Sequence, residues 1–84
     1  MIQQGCIVRP TAGREQDRYF VVLNREGQTA TISDGRKRKL QNPKRKNVRH
    51  LQDTGVQMDS ADMATNKQLR KALRNKGFFK VQSL

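Results

Sequence analysis

The sequence predicts a mainly β domain, a small antiparallel barrel of four or five short strands, followed by a short C-terminal α-helix. Three observations lead there. Short β-branched and aromatic runs alternate with turn residues over the first 54 positions. From Thr65 onward the apolar spacing becomes that of a helix face. The chain has 84 residues, and a domain of that size buries only about 60 to 65% of the surface its unfolded form exposes, which leaves no material for a second core. Hydrophobic residues make up 33% of the composition and charged residues 30%, so that core is small.

Gly5-Cys6-Ile7-Val8-Arg9 reads as the first strand, ended by Pro10-Thr11-Ala12-Gly13. After a loop, Arg18 to Asn24 holds Tyr19-Phe20-Val21-Val22-Leu23, apolar at successive positions, as in a strand buried on both sides. Asn24-Arg25-Glu26-Gly27 reads as a turn. Gln28 to Ser33 alternates, with Ala30 and Ile32 on one side. Asp34-Gly35 suits a two-residue type I′ hairpin turn, which predicts a fourth strand over Arg36 to Leu40. Pro43 and Lys44-Arg45-Lys46-Asn47 interrupt it, and Val48-Arg49-His50-Leu51 reads as a one-turn 3₁₀ segment entering a last short strand. Residues 1–54 thus form the expected barrel, with Ile7, Val21, Ile32 and Leu51 as its candidate core.

Asp53 to Ala64 has few large apolar residues beyond Val56, Met58 and Met63, so residues 55–64 are expected to be a linker. Residues 65–84 are expected to form a basic helix and tail. Thr65 or Asn66 caps a helix over Asn66 to Asn75, Leu69, Ala72 and Leu73 share one face, and Gly77 ends it. A helix of ten residues is marginal alone, so Leu69 and Leu73 are expected to dock on the barrel.

Charge is the strongest functional signal. Eighteen Lys and Arg oppose seven Asp and Glu, a net charge of +11. Residues 1–35 are neutral overall, 36–52 carry eight bases and no acid, 53–62 carry three acids and no base, and 63–84 carry six bases and no acid. A surplus placed in two blocks points to a polyanionic partner. The first block is Arg36, Lys37, Arg38, Lys39, Lys44, Arg45, Lys46 and Arg49. Such runs are often no more than a solvated face. Here the block lies between the apolar anchors Leu40, Val48 and Leu51, so a fixed phosphate-binding patch is expected. In the second, Lys67 with Lys71 and Arg70 with Arg74 are like-charge i,i+4 pairs, each unfavourable by about 0.2 to 0.5 kcal/mol in isolation. They fit a helix that meets an anion, against the plainer reading of a solubilising face.

Tyr19, Phe20, Phe78 and Phe79 are the only aromatics. Tyr19 and Phe20 are expected in the core, and Phe78 and Phe79 are expected to pack rather than stack on bases, which favours shape and phosphate recognition of folded RNA over single-strand readout. Catalysis has little support: His50 is the lone histidine, and no motif pairs the carboxylates Asp34, Asp53, Asp59 and Asp62. One cysteine, Cys6, permits neither an internal disulfide nor a recognised metal quartet, so no metal or cofactor is expected and Cys6 is assigned to the core. With no long apolar run and no leader-like N-terminus, a soluble, cytoplasmic, monomeric protein without membrane contact is expected.

Gly5-x-Ile7-Val8, Ala12-Gly13-Arg14 and Arg18-Tyr19-Phe20-Val21-Val22 together resemble a KOW motif, a strand, a glycine-containing loop and a second strand. Ile32-x-Asp34-Gly35, Arg38-Lys39-Leu40, Pro43-Lys44, Lys46-Asn47 and His50-Leu51 extend the similarity over residues 4 to 54, to stand-alone bacterial KOW proteins related to a large-subunit ribosomal protein of archaea and eukaryotes. Gln16-Asp17-Arg18 stands where that family often has a second loop glycine. The resemblance implies an SH3-like barrel and non-catalytic binding of ribosomal or other structured RNA, in contact with ribosomal proteins. It adds Arg14, Arg18 and His50 to the basic residues above as RNA-binding candidates. The runner-up is a KOW adaptor that binds protein components of the transcription or translation machinery, and a third reading is a nonspecific DNA-binding protein.

Overall fold

A computed structural model describes residues 1–78. The chain runs through β1 (Cys6–Pro10), β2 (Phe20–Glu26), β3 (Thr29–Ser33), β4 (Lys44–Asn47), a 3₁₀ turn (Val48–His50), β5 (Leu51–Gln57), a second 3₁₀ turn (Ser60–Met63) and α1 (Asn66–Asn75). The strands form one antiparallel sheet in the order β4-β3-β2-β1-β5.

The sheet is apolar on both faces, as the unbroken apolar run of β2 predicts. Phe20 and Val22 point to one face and pack with Cys6, Val8, Ala30, Ile32 and Leu51. Val21 points to the other, where Ile7 and Met58 join Leu69, Ala72 and Leu73 of α1. Leu69 and Leu73 therefore dock on the sheet as expected. The expected single core divides: Ile32 and Leu51 belong to the first cluster, Ile7 and Val21 to the second. Period-two alternation makes this unavoidable, because neighbours in a strand point to opposite faces.

Helix α1 has the caps its sequence predicts. Thr65 Oγ1 accepts from the Gln68 amide at 3.1 Å. At the other end Gly77, at φ +86°, gives its amide to Arg74, and the Phe78 amide reaches back to the Leu73 carbonyl at 2.7 Å. This is a Schellman ending, and its apolar contact is supplied by Phe78 and Leu73 in the helix-side cluster. Phe78 also meets Tyr19 edge to face with centroids 4.8 Å apart, so both pack rather than present a stacking surface. Phe79, Lys80 and the rest of the expected tail lie outside the described residues.

Three expectations are corrected. The predicted strand Arg36 to Leu40 is a loop, and the fourth strand is Lys44–Asn47. Asp34 explains it: its Oδ1 accepts from the amides of Arg36 at 2.9 Å and Arg38 at 3.0 Å. The Arg38 carbonyl in turn accepts from the Asp34 and Gly35 amides and the Ser33 hydroxyl. Backbone groups that a strand would offer to a ladder are consumed locally, so Asp34-Gly35 opens a long loop instead of a two-residue turn. Asn24 and Arg25 do not turn but pair with Thr31 and Ala30. The expected linker, residues 55–64, holds the end of β5, the buried Met58 and a 3₁₀ turn.

Candidate nucleic-acid interface

Two loops, the edge strand β4, the 3₁₀ turn after it and helix α1 carry the candidate basic residues. The first loop, residues 11–19, joins β1 to β2, and the second, residues 34–43, joins β3 to β4. The pairings of Val8 with Phe20 and of Val21 with Ser33 bring both loops to the same end of the sheet.

The loops are tied by ions. Glu15 Oε1 accepts from Arg38 Nε at 3.3 Å, Arg38 Nη2 at 3.0 Å and Lys44 Nζ at 3.0 Å. Burial works against the Glu15 charge, but the bonds from Arg38 and Lys44 and their positive charge outweigh it and hold the carboxyl below the ordinary glutamate range. Lys46 Nζ donates to the Ala12 carbonyl at 2.8 Å. Lys44 and Lys46 pair with Ile32 and Ala30 on the side of the first apolar cluster, so their stems cover its rim while their ammonium groups reach the loop. Arg18 lies 3.5 Å from the buried Asp34.

The second loop is stapled to the helix. Asn66 Oδ1 accepts from the Leu40 amide and Asn66 Nδ2 donates to Gln41 Oε1, both at 2.8 Å. Arg70 Nη1 donates to the Gly35 carbonyl at 2.7 Å. Gly35 is at φ +74°, and a Cβ there would sit 2.7 Å from the Asn66 carbonyl oxygen; only glycine lets the loop lie this close to α1. The two basic blocks, separated in sequence by acids, are therefore adjacent through this loop.

The sequence candidates fall into two groups. Arg18, Arg38, Lys44, Lys46 and Arg70 are partly buried and engaged in the bonds just described. Arg14, Arg36, Lys37, Lys39, Arg45, Arg49, His50, Lys67, Lys71 and Arg74 are exposed. Arg14, Arg18, Lys37 and Arg38 line one groove between the loops, together with Glu15 and Asp17. Lys67, Arg70, Lys71 and Arg74 line a second on the helix. The carbonyl of His50 accepts from the Thr11 amide at 2.8 Å, which sets His50 and Arg49 beside the base of the first loop. Arg45 stands apart, because it points to the opposite side of β4 from Lys44 and Lys46.

Sequence reasoning missed Glu15, Asp34 and Asn66, which position these cations. Ser33-Asp34-Gly35 did carry a local signal, since Asp before Gly readily caps its own loop amides. Among the described residues no group of three or more His, Cys, Asp or Glu side chains is placed to hold a metal ion. No helix among them is long and apolar enough to cross a membrane. The chain matches no protein-family model, and no curated protein matches it.

Proposed function

We propose that this chain is a non-catalytic RNA-binding module of the KOW type that associates with the ribosome and holds structured RNA by its phosphates. The observation that carries the reading is the run of basic elements in mutual contact: the Arg49-His50 turn against the first loop, the first loop against the second, and the second against α1. Exposed Arg14, Lys37, Lys39, Lys67 and Lys71 lie along it. An extended cationic surface on loops and one helix face fits a phosphate backbone, where affinity comes from counterion release. Phe20 is buried, and Tyr19 and Phe78 are partly buried and engaged with each other, which favours base-paired RNA over an unpaired strand.

The barrel part of the reading is supported by the strand order β4-β3-β2-β1-β5 and by the 3₁₀ turn that joins the two edge strands. The adaptor reading needs an apolar sheet face open to a partner protein, and α1 covers the outer face of β1 and β2.

The test is binding of an RNA hairpin and of a DNA duplex of matching sequence across a salt series. RNA affinity is expected to fall with a log–log slope of about −4 to −7 for roughly six to eight phosphate contacts. A slope near zero, or equal preference for DNA, would sink the reading. Co-sedimentation of the chain with ribosomal particles on a sucrose gradient tests its ribosomal part.

A further inference from the structure

The bonding of Glu15 is lopsided. All three donors, two from the Arg38 guanidinium and one from Lys44, converge on Oε1. Oε2 is buried and has no hydrogen-bond partner among the described residues. A carboxylate serving only as a brace would take Arg38 in the fork-to-fork arrangement that engages both oxygens, since a buried acceptor left unmatched costs about 1 to 3 kcal/mol. Two cations converging on one anionic oxygen make an arrangement that a phosphate oxygen takes equally well through charge-assisted bonds. They are also within reach from outside: the side chains of Arg38 and Lys44 are 37% and 31% exposed, against 13% for Glu15. Arg38 lines the groove between the loops beside Arg14, Arg18 and Lys37.

We infer that Arg38 and Lys44 form a phosphate site, that Glu15 Oε1 holds the place of a phosphate oxygen in the free protein, and that the RNA backbone displaces it. This rests on the RNA-binding reading above. The exchange keeps the pair neutralised: one anionic oxygen leaves, another arrives, the charge-assisted bonds are remade and Oε2 gains solvent. The low affinity of the Glu15 carboxyl for protons keeps it ionised at neutral pH, so it competes as an anion. Displacement has a structural consequence too. Glu15 is on the first loop, Arg38 on the second and Lys44 on β4, so losing the Glu15 bonds loosens the loops, which stay joined through Arg18–Asp34 and Lys46–Ala12, and lets the groove widen around a backbone.

The test is Glu15→Gln, which keeps the size and one acceptor oxygen but removes the charge. Measured by fluorescence anisotropy with a labelled RNA hairpin, the variant is expected to bind about 3- to 10-fold more tightly than the unaltered chain at low salt, the scale of a partly exposed ion pair. Its log–log salt slope is expected to steepen by about 1. Equal or weaker binding by a cooperatively folded variant would overturn the site and leave Glu15 as a brace. Should the variant not fold, NMR on the unaltered protein decides. At saturating hairpin the Glu15 carboxyl is expected to titrate like an ordinary glutamate and the Arg38 Nε–H resonance to move. A Glu15 carboxyl that keeps its free-state titration in the complex overturns the proposal. No hairpin binding by the unaltered chain overturns both this site and the RNA-binding reading.

Discussion

The two basic segments look alike in sequence and are used differently. In Arg36 to Arg49, Arg38, Lys44 and Lys46 turn inward, binding Glu15 and the Ala12 carbonyl. In Lys67 to Lys76, Arg70 alone among the cations is partly buried, while Lys67, Lys71, Arg74 and Lys76 are exposed. The backbone explains the contrast. β4 is an edge strand whose inward positions face the rim of an apolar cluster and the first loop, where the Ala12 carbonyl and the Glu15 carboxylate accept from them. Helix α1 is amphipathic and sorts its residues by face, with Leu69, Ala72 and Leu73 buried. Density of charge along a chain therefore overstates density of charge on the surface wherever a strand must spend cations on its own loops.

The comparison is broken most severely by removing the second segment. Deleting residues 65–84 takes away Leu69, Ala72 and Leu73 and uncovers Ile7 and Val21, each 0% exposed. Burying one large apolar side chain contributes about 1.5 to 3 kcal/mol, and a small domain has only about 5 to 15 kcal/mol in total. The truncated chain is expected to show no cooperative transition in calorimetry. A sharp transition near that of the full chain would show that the first cluster suffices, and that α1 is an appendage to an independently folding sheet. Val21→Asp strikes the same cluster with an unpaired charge and is expected to unfold the domain by circular dichroism.

Asp34→Ala tests the loop that joins the segments. It removes the acceptor of the Arg36 and Arg38 amides and the ion partner of Arg18, at an expected cost of about 2 to 4 kcal/mol in urea unfolding. A loss below the error of the extrapolation would mean that the loop finds equivalent bonds without it.

What was legible in the sequence was local. The span of α1, its Thr65 cap and its Gly77 ending follow from spacing and cap chemistry within one turn of each end. The two-sided burial of β2 follows from five apolar residues in a row. The false strand at Arg36 to Leu40 arose because alternation and a hairpin dipeptide say nothing of a side chain that competes for the amides, as Asp34 does. Val56, Met58 and Met63 looked like linker because their cluster is completed by Ile7, Val21 and α1, far away in the chain. For the site, residue types were legible and their allegiance was not. Lys44 differs from Arg45 through a carboxylate 29 positions away, a relation that no window of sequence contains.

A smaller effect sharpens the comparison on binding. Lys67→Ala with Lys71→Ala removes two exposed cations from the solvent face of α1, and is expected to lower the RNA salt slope by about 2 without moving the thermal midpoint. Lys44→Ala with Lys46→Ala removes as many charges from the first segment, but is expected to lower the midpoint as well, because the loop loses its ties to β4. Equal midpoints for the two double variants would erase the distinction drawn between the segments.

The smallest effect is the pH dependence of the Glu15 bridge. Its carboxyl is held below the ordinary glutamate range in the folded protein, because the Arg38 and Lys44 bonds and charges overcome a burial that acts the other way. The unfolded chain therefore binds the proton more readily than the folded one, so stability rises with pH across the interval between the two values. The contribution is fully present above the ordinary glutamate value, and is lost as pH falls through the lower folded-state value. With the side chains of Arg38 and Lys44 about a third exposed, solvent screens the bridge and its worth is about 1 kcal/mol or less. The chain carries six other acidic residues, so the unaltered chain alone does not isolate the effect; the difference between it and Glu15→Gln does. At neutral pH the glutamine variant is expected to unfold at slightly lower urea. As pH drops below the glutamate range the two curves should converge, since a protonated Glu15 and a glutamine are both neutral. A difference that stays constant into acid would assign the effect to packing or lost hydrogen-bond geometry, and would remove the charge of Glu15 from the account of what holds the loops together.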